Sequence, residues 1–281
     1  MIRKLRPLLW ALPFLCLRFS DLPTHAYTDA VPLLVVTYHS LSERPEDWSS
    51  FVVSPEELES DLRYLRDQGY ESVLSADLIA YMDESAPLPE RPVLLTFDDG
   101  YRDNYVYAYP LLRAYGMRAV ISLIGECLDA SDAGDDSGSR YYLSWDEARE
   151  MADTGVVELG SHTYGLHRNT GGRLGASLDP NEDLDAYTAR LTGDLMQMQQ
   201  RTRAKTGRAP LLFAYPYGAV SYSSRPVVKA LGFRVSLSTQ RGLSLIARED
   251  PDSLFLLHRI NRPHGITSED FFSLHEIPIR E

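Results

Sequence analysis

Two adjacent carboxylates, Asp98 and Asp99, close the apolar run in VLLTFDDGYRDNY (Val93 to Tyr105). Like charges side by side repel, and burying them is costly unless something positive compensates. Successive strand residues point to opposite faces, so both reach one pocket only where the strand breaks, and Gly100 gives the backbone that freedom. A surface Asp-Gly turn is the plain alternative; Phe97 and the apolar residues before it weigh against a solvated hairpin. Further on, GSHTYGLHRN carries His162 and His167. Five helical steps turn roughly 140°, so the pair would not share a helix face. A loop containing Gly165 can fold both imidazoles toward one point, although two ordinary loop histidines would read the same. Two histidines and one carboxylate form a common open metal site, leaving the second carboxylate to act as a base toward water.

The surrounding pattern alternates strand and helix. VPLLVVTYHS is a continuous apolar run, as in a buried parallel strand, and it ends at His39. SPEELESDLRYLRDQGY predicts a helix with Ser54 as N-cap, Pro55 first, Glu57 at the capping-box position and Gly69 as its stop. SADLIAYMDE predicts a second helix, RPVLLTF a strand, YVYAYPLLRAYG a helix and MRAVISLIG a strand. LDASDAGDDSGSR reads as a polar loop. LSWDEAREMADTG predicts a helix, VVELGS a strand, EDLDAYTARLTGDLMQMQQRTRAKTG a long helix and APLLFAYPYG a strand. SRPVVKALG, FRVSLST and DSLFLLHRIN predict helix, strand and strand. This alternation points to parallel strands with crossover helices, either a barrel or a doubly wound sheet. Both place a site at the C-terminal strand ends, where His39, Asp98-Asp99, His162 and Pro216-Tyr217-Gly218 fall.

The first residues read as an export signal: a basic MIRKLRP, an apolar LLWALPFLCL and a small-residue cleavage site ending at Ala26. An uncleaved membrane anchor and a lipoprotein acylated at Cys16 are the weaker readings. Removal of residues 1–26 would leave 24 basic and 39 acidic side chains, and no basic block suggests nucleic acid. Of the two cysteines, Cys16 leaves with the leader, so no disulfide is expected and Cys127 reads as a buried small hydrophobe. Residues 27–281 read as one domain.

TFDDG, SHTYGLH and FAYPYG, in that order, resemble the first three motifs of the polysaccharide deacetylases, the NodB-homology group or carbohydrate esterase family 4. The resemblance covers nearly the whole mature chain and implies an α/β fold, a distorted (β/α) barrel of about seven parallel strands. It also implies hydrolysis of an N-acetyl group on an N-acetylhexosamine. Asp98 would be the general base, and Asp99, His162 and His167 would hold one divalent ion, zinc by default, with nickel, cobalt or iron as alternatives. The backbone N–H of Tyr217 would serve the oxyanion. Two departures stand out: Ala214 occupies the position of the arginine that usually tethers the base, and the histidine spacing is one residue longer than the common pattern. Both resemble the branch acting on poly-N-acetylglucosamine of biofilm matrices, as does the early Tyr38-His39. Matching strand ends favour His39 as general acid over His258, and Arg259 becomes a candidate partner for Asp98. Tyr164 and Pro216 are further candidates for lining the pocket or supporting it.

The expected substrate is therefore an extracellular N-acetylglucosamine polymer, with peptidoglycan or chitooligosaccharides as alternatives. An inactive carbohydrate-binding protein on the same fold is the alternative of another class. The acidic balance suits a polymer that gains positive charge as it loses acetyl groups. Periplasmic, cell-surface or extracellular placement follows from the leader, and any companion domain is expected on a separate protein.

Overall fold

The computed structural model describes residues 30–135 and 141–275. The expected leader, with Cys16 and the cleavage site expected after Ala26, lies outside the described residues. Strand β1 (Val31–Tyr38) is followed by a short parallel pair, β2 (Ser40–Leu41) and β3 (Val52–Val53). Helix α1 (Pro55–Asp67) begins as its sequence predicts: Ser54 Oγ accepts from the Glu57 N–H at 3.1 Å, and Glu57 Oε2 accepts from the Ser54 N–H at 2.9 Å. Such a box satisfies two donors that the helix start leaves open. Ser54→Ala is expected to cost about 1 kcal/mol, lowering the melting temperature by about 2–4 °C in a thermal scan; an unchanged melting temperature would count against the cap.

The chain continues through β4 (Glu71–Ser72), α2 (Ser75–Asp83), β5 (Pro92–Phe97), a π-helical turn at Asn104–Ala108, α3 (Tyr109–Tyr115) and β6 (Ala119–Leu123). Then come α4 (Gly125–Asp132), α5 (Trp145–Asp153), β7 (Val157–Ser161) and a small hairpin of β8 (Asn169–Thr170) and β9 (Arg173–Leu174). The long α6 (Leu184–Thr206), β10 (Leu212–Ala214), α7 (Ser224–Ala230), β11 (Val235–Leu237), β12 (Ser244–Ile246), β13 (Ile260–Asn261) and α8 (Ser268–Ser273) complete it.

Three local expectations are corrected. The supposed polar loop from Leu128 begins inside α4, where Leu128 is buried and the acidic residues serve as hydrogen-bond acceptors: Asp129 takes the Trp145 and Arg201 side-chain N–H groups. DSLFLLHRIN is not one strand, because Leu256 takes the left-handed conformation (φ 60) and only Ile260–Asn261 pairs as β13. Cys127 is half-buried rather than buried; burial pushes its thiol up to about 11. No helix among the described residues is long and apolar enough to cross a membrane.

Seven parallel strands, ordered β11-β10-β7-β6-β5-β1-β13, curl into a distorted barrel; the short β4 adds parallel to the start of β5, and β12 antiparallel to β1. The segment before β13 closes the ring: Leu257 bridges Leu237 of β11, and β13 pairs with Val36 and Thr37 of β1. Alternation sorts the side chains. Leu34, Val36, Val93, Leu95 and Phe97 join α1, α3 and α5 outside, whereas Leu33, Val35, Leu94, Val120 and Val235 form a cluster with Leu78 and Tyr81 of α2. The inward series turns polar on approaching the C-terminal rim, where Thr37 Oγ1 and Thr96 Oγ1 meet at 3.1 Å.

Candidate active site

Inward parity delivers a functional side chain just past the ends of β5 and β1, and another from the closing segment just before β13. Leu94 and Thr96 lead to Asp98, Val35 and Thr37 to His39, and Leu257 leads to Arg259. These groups, with Asp99, His162, His167 and Tyr217, line one cleft of about 690 Å³. Asp99 breaks the alternation. It takes a left-handed backbone (φ 75), as does Gly100 (φ 75), and so both aspartates reach the same cleft. A Cβ at Gly100 would lie 2.9 Å from the Leu123 side chain, so glycine serves there for space as well as conformation. Thr163 and Tyr217 are also left-handed, and non-glycine residues in that region cluster where surrounding structure holds them.

Asp98 is buried and ion-paired. Arg259 Nη1 donates to both its carboxylate oxygens, at 3.0 and 2.9 Å, while Arg259 Nε donates to the Ser238 carbonyl at 2.7 Å. Burial, the largest single influence, opposes ionisation of Asp98, but the Arg259 charge and hydrogen bonds together with the neighbouring His162 and His39 outweigh it, and the carboxyl is held at about 2. The tether that Ala214 cannot supply therefore comes from the closing segment of the barrel. Ala214 contributes its carbonyl instead, which pairs with His162 Nδ1 at 2.8 Å. With Nδ1–H donated there, His162 Nε2 keeps its lone pair and faces Asp99 Oδ1 at 3.6 Å. His167 Nε2 faces the same oxygen at 3.3 Å.

These three ligand atoms lie within 4.8 Å of one another. Burial lowers the His162 pKa, so its contact with Asp99 is not an ion pair at neutral pH. Asp99 Oδ1 is buried with no hydrogen-bond partner. Lone pairs converging without a donor between them fit a cation, and tetrahedral zinc would space its ligand atoms roughly 3.3 Å apart.

His39 stands at the cleft wall with its ring edge-on to Phe51, centroids 4.9 Å apart, and its carbonyl accepts from Asn104 Nδ2 at 2.9 Å. Burial lowers its pKa, partly offset by Asp98 and Asp99. Tyr217 lies over His167, with ring centroids 4.4 Å apart, and Pro216 starts the turn that brings it there without lining the cleft. His258 is outside: its N–H donates to Ser244 Oγ and it is not among the lining residues. Tyr164 is also elsewhere, since its hydroxyl donates to Asp129 Oδ2 at 2.9 Å and its ring packs on α4. Sequence reasoning missed Thr37, Phe51, Thr239, Arg241 and Asn261. The parity that yields Arg259 would also have yielded Asn261, whereas Phe51 sits in a loop with no periodic signal.

A family model described as polysaccharide deacetylase matches residues 85–236. The poly-beta-1,6-N-acetyl-D-glucosamine N-deacetylase of Escherichia coli strain K12 is 28% identical over 236 residues, covering 77% of this chain and 35% of that protein. The chain thus spans about a third of the length of this curated relative. A solved de-N-acetylase from Aggregatibacter actinomycetemcomitans superposes with a TM-score of 0.71 at 27% identity, over 86% of this chain and 97% of the other. IcaB from Ammonifex degensii shares the fold, with a TM-score of 0.69 at 24% identity over 83% and 93% of the two chains. The matched region spans more than half the sequence and contains the paired aspartates, both facing histidines and the Pro216–Gly218 turn, so the chain belongs to the polysaccharide deacetylase family.

Proposed function

We propose that this protein removes acetyl groups from N-acetylglucosamine residues of an exported polysaccharide, poly-β-1,6-N-acetylglucosamine. The observation that carries the reading is one cleft holding a buried, ionised Asp98 beside the convergent Asp99, His162 and His167. The relatives' names support the substrate, and the acidic balance suits a product that becomes cationic. Asp99, His162 and His167 would hold a divalent ion, zinc by default, which when bound polarises the acetyl carbonyl and makes nearby water more acidic. Asp98, paired with Arg259, would accept the proton of the attacking water. The Tyr217 N–H stabilises the developing oxyanion. His39 protonates the leaving amine; burial lowers its pKa, and the neighbouring Asp98 and Asp99 charges oppose that and favour the protonated ring. The Tyr217 and Phe51 rings at the mouth offer faces to sugar.

Acetate release from a defined β-1,6-linked N-acetylglucosamine oligomer tests this reading. Activity is expected to vanish with chelator and return with one added divalent metal. Release unaffected by chelation would overturn the metal-dependent reading. Preference for β-1,4 oligomers or peptidoglycan fragments would move the substrate to the alternatives, and binding without acetate release would mark an inactive carbohydrate-binding protein.

A further inference from the structure

The turn between the two histidines is gripped from both sides. Its Thr163 and Tyr164 carbonyls accept from the Gly125 and Glu126 N–H groups at the start of α4, at 3.1 and 2.9 Å. Its Tyr164 and Gly165 N–H groups donate to Oδ1 and Oδ2 of Asp194 on α6, each at 2.8 Å. Two consecutive peptide units thus have all four polar groups satisfied by protein. The approach of α4 depends on Gly125, where a Cβ would lie 2.5 Å from the Tyr164 ring.

The two histidines differ in their own anchors. The backbone N–H of His162 donates to the Leu123 carbonyl at 2.8 Å, and its ring is pinned by Ala214. The His167 ring is more exposed; it touches the His162 and Tyr217 rings, and its polar contacts are the Tyr217 hydroxyl, at 3.3 Å, and Asp99, with no backbone carbonyl pinning it as Ala214 pins His162. Its place therefore depends on the turn that carries it.

We propose that Asp194 is a positioning residue for the triad Asp99, His162 and His167, fixing the turn so that His167 faces its partners before any ion arrives. This rests on reading the triad as cation ligands. The carboxylate suits the task because it offers two acceptors and no donor. An asparagine would accept from one N–H and turn its own amide hydrogens on the other. Outer residues that orient ligands in this way typically change metal affinity about 10–100-fold when replaced.

Zinc titration by calorimetry on the full chain tests the assignment. Asp194→Asn is expected to weaken zinc binding about 10–100-fold, whereas Tyr164→Phe, which loses the hydroxyl's bonds to Asp129 and Gln197 and leaves the Asp194 contacts in place, keeps wild-type affinity. Wild-type affinity in a folded Asp194→Asn protein would overturn the proposal. A wild-type protein that takes up no zinc would instead overturn the ligand reading beneath it. Hydrogen exchange on the wild type supplies a second measurement independent of the variant's folding. Slow exchange of the Tyr164 and Gly165 amides without zinc supports a preformed turn; fast exchange that slows only after zinc addition overturns it.

Discussion

Asp98→Asn is expected to slow acetate release by a factor on the order of 10²–10⁴, the usual contribution of a positioned general base, while divalent-cation binding survives. The change removes the proton acceptor and leaves the Asp99 cluster intact. It also leaves the buried Arg259 guanidinium without its carboxylate, so rates must be compared at temperatures where both proteins are folded by circular dichroism. Arg259→Met is the complementary experiment. With Arg259 present, the Asp98 carboxyl sits at about 2, below the ordinary 3.8. Without it, burial dominates and pushes the carboxyl up. The acid limb of the kcat/KM profile should therefore move to higher pH, with activity recovering as pH rises. An acid limb that stays in place would show that Arg259 does not tune the base. The same linkage has a stability side. Because the folded value lies below the unfolded one, the pair stabilises the fold above about pH 4 and loses that contribution as pH falls toward 2.

Asp61→Ala is expected to destabilise the fold by about 3–5 kcal/mol, a fall in melting temperature on the order of 10 °C. Asp61 is fully buried on α1 and accepts from Arg262 Nε at 2.8 Å, Arg262 Nη2 at 3.2 Å, Tyr38 Oη at 2.9 Å and Ser268 Oγ at 2.6 Å. One carboxylate thus joins α1, the end of β1, the residue after β13 and the start of α8. Removing it strands a guanidinium that is 1% exposed. Replacing both partners by apolar residues, Asp61→Leu with Arg262→Met, should recover most of the loss, because the cost lies in the unpaired charge. Equal melting temperatures for the single and double variants would contradict that account.

The contrast between these two ion pairs says how much the sequence revealed. Asp98 lay at the end of an apolar run, and strand alternation pointed from Leu257 to Arg259. The pairing of Arg259 with Asp98 was thus open to anticipation, although the closing segment is too irregular to read as one strand. Asp61 and Arg262 gave no such signal, since each looks like an ordinary charged residue within a polar pattern and only the crossing of distant elements buries them. The capping box at Ser54 was legible because it is local. Helix α4 was not, because a single buried leucine makes no periodicity. Tyr164 misled for a related reason: its place inside the histidine motif suggested the cleft, and Gly125, far away in sequence, decides that its ring turns to α4.

The apolar packing of α2 against the barrel's inward residues has a consequence for traffic. Glu158, on the inward face of β7, bonds to Ser75 and Ala76 at the helix start, and Leu78 and Tyr81 lie in the interior cluster, so that end is stoppered. Among the described residues, the end closed by α2 is shut, and the cleft opens at the opposite rim, where Phe51 and Tyr217 are exposed. On the proposed reaction, the polymer arrives, acetate departs and water refills the cleft all through the rim beside Phe51 and Tyr217. On that reading, acetate formed beneath a seated sugar would leave by the same rim that the sugar occupies. Turnover on a long chain is then a matter of queueing: the polymer must lift or slide before the small product is free, and the pace of the enzyme can be set at the doorway rather than at Asp98.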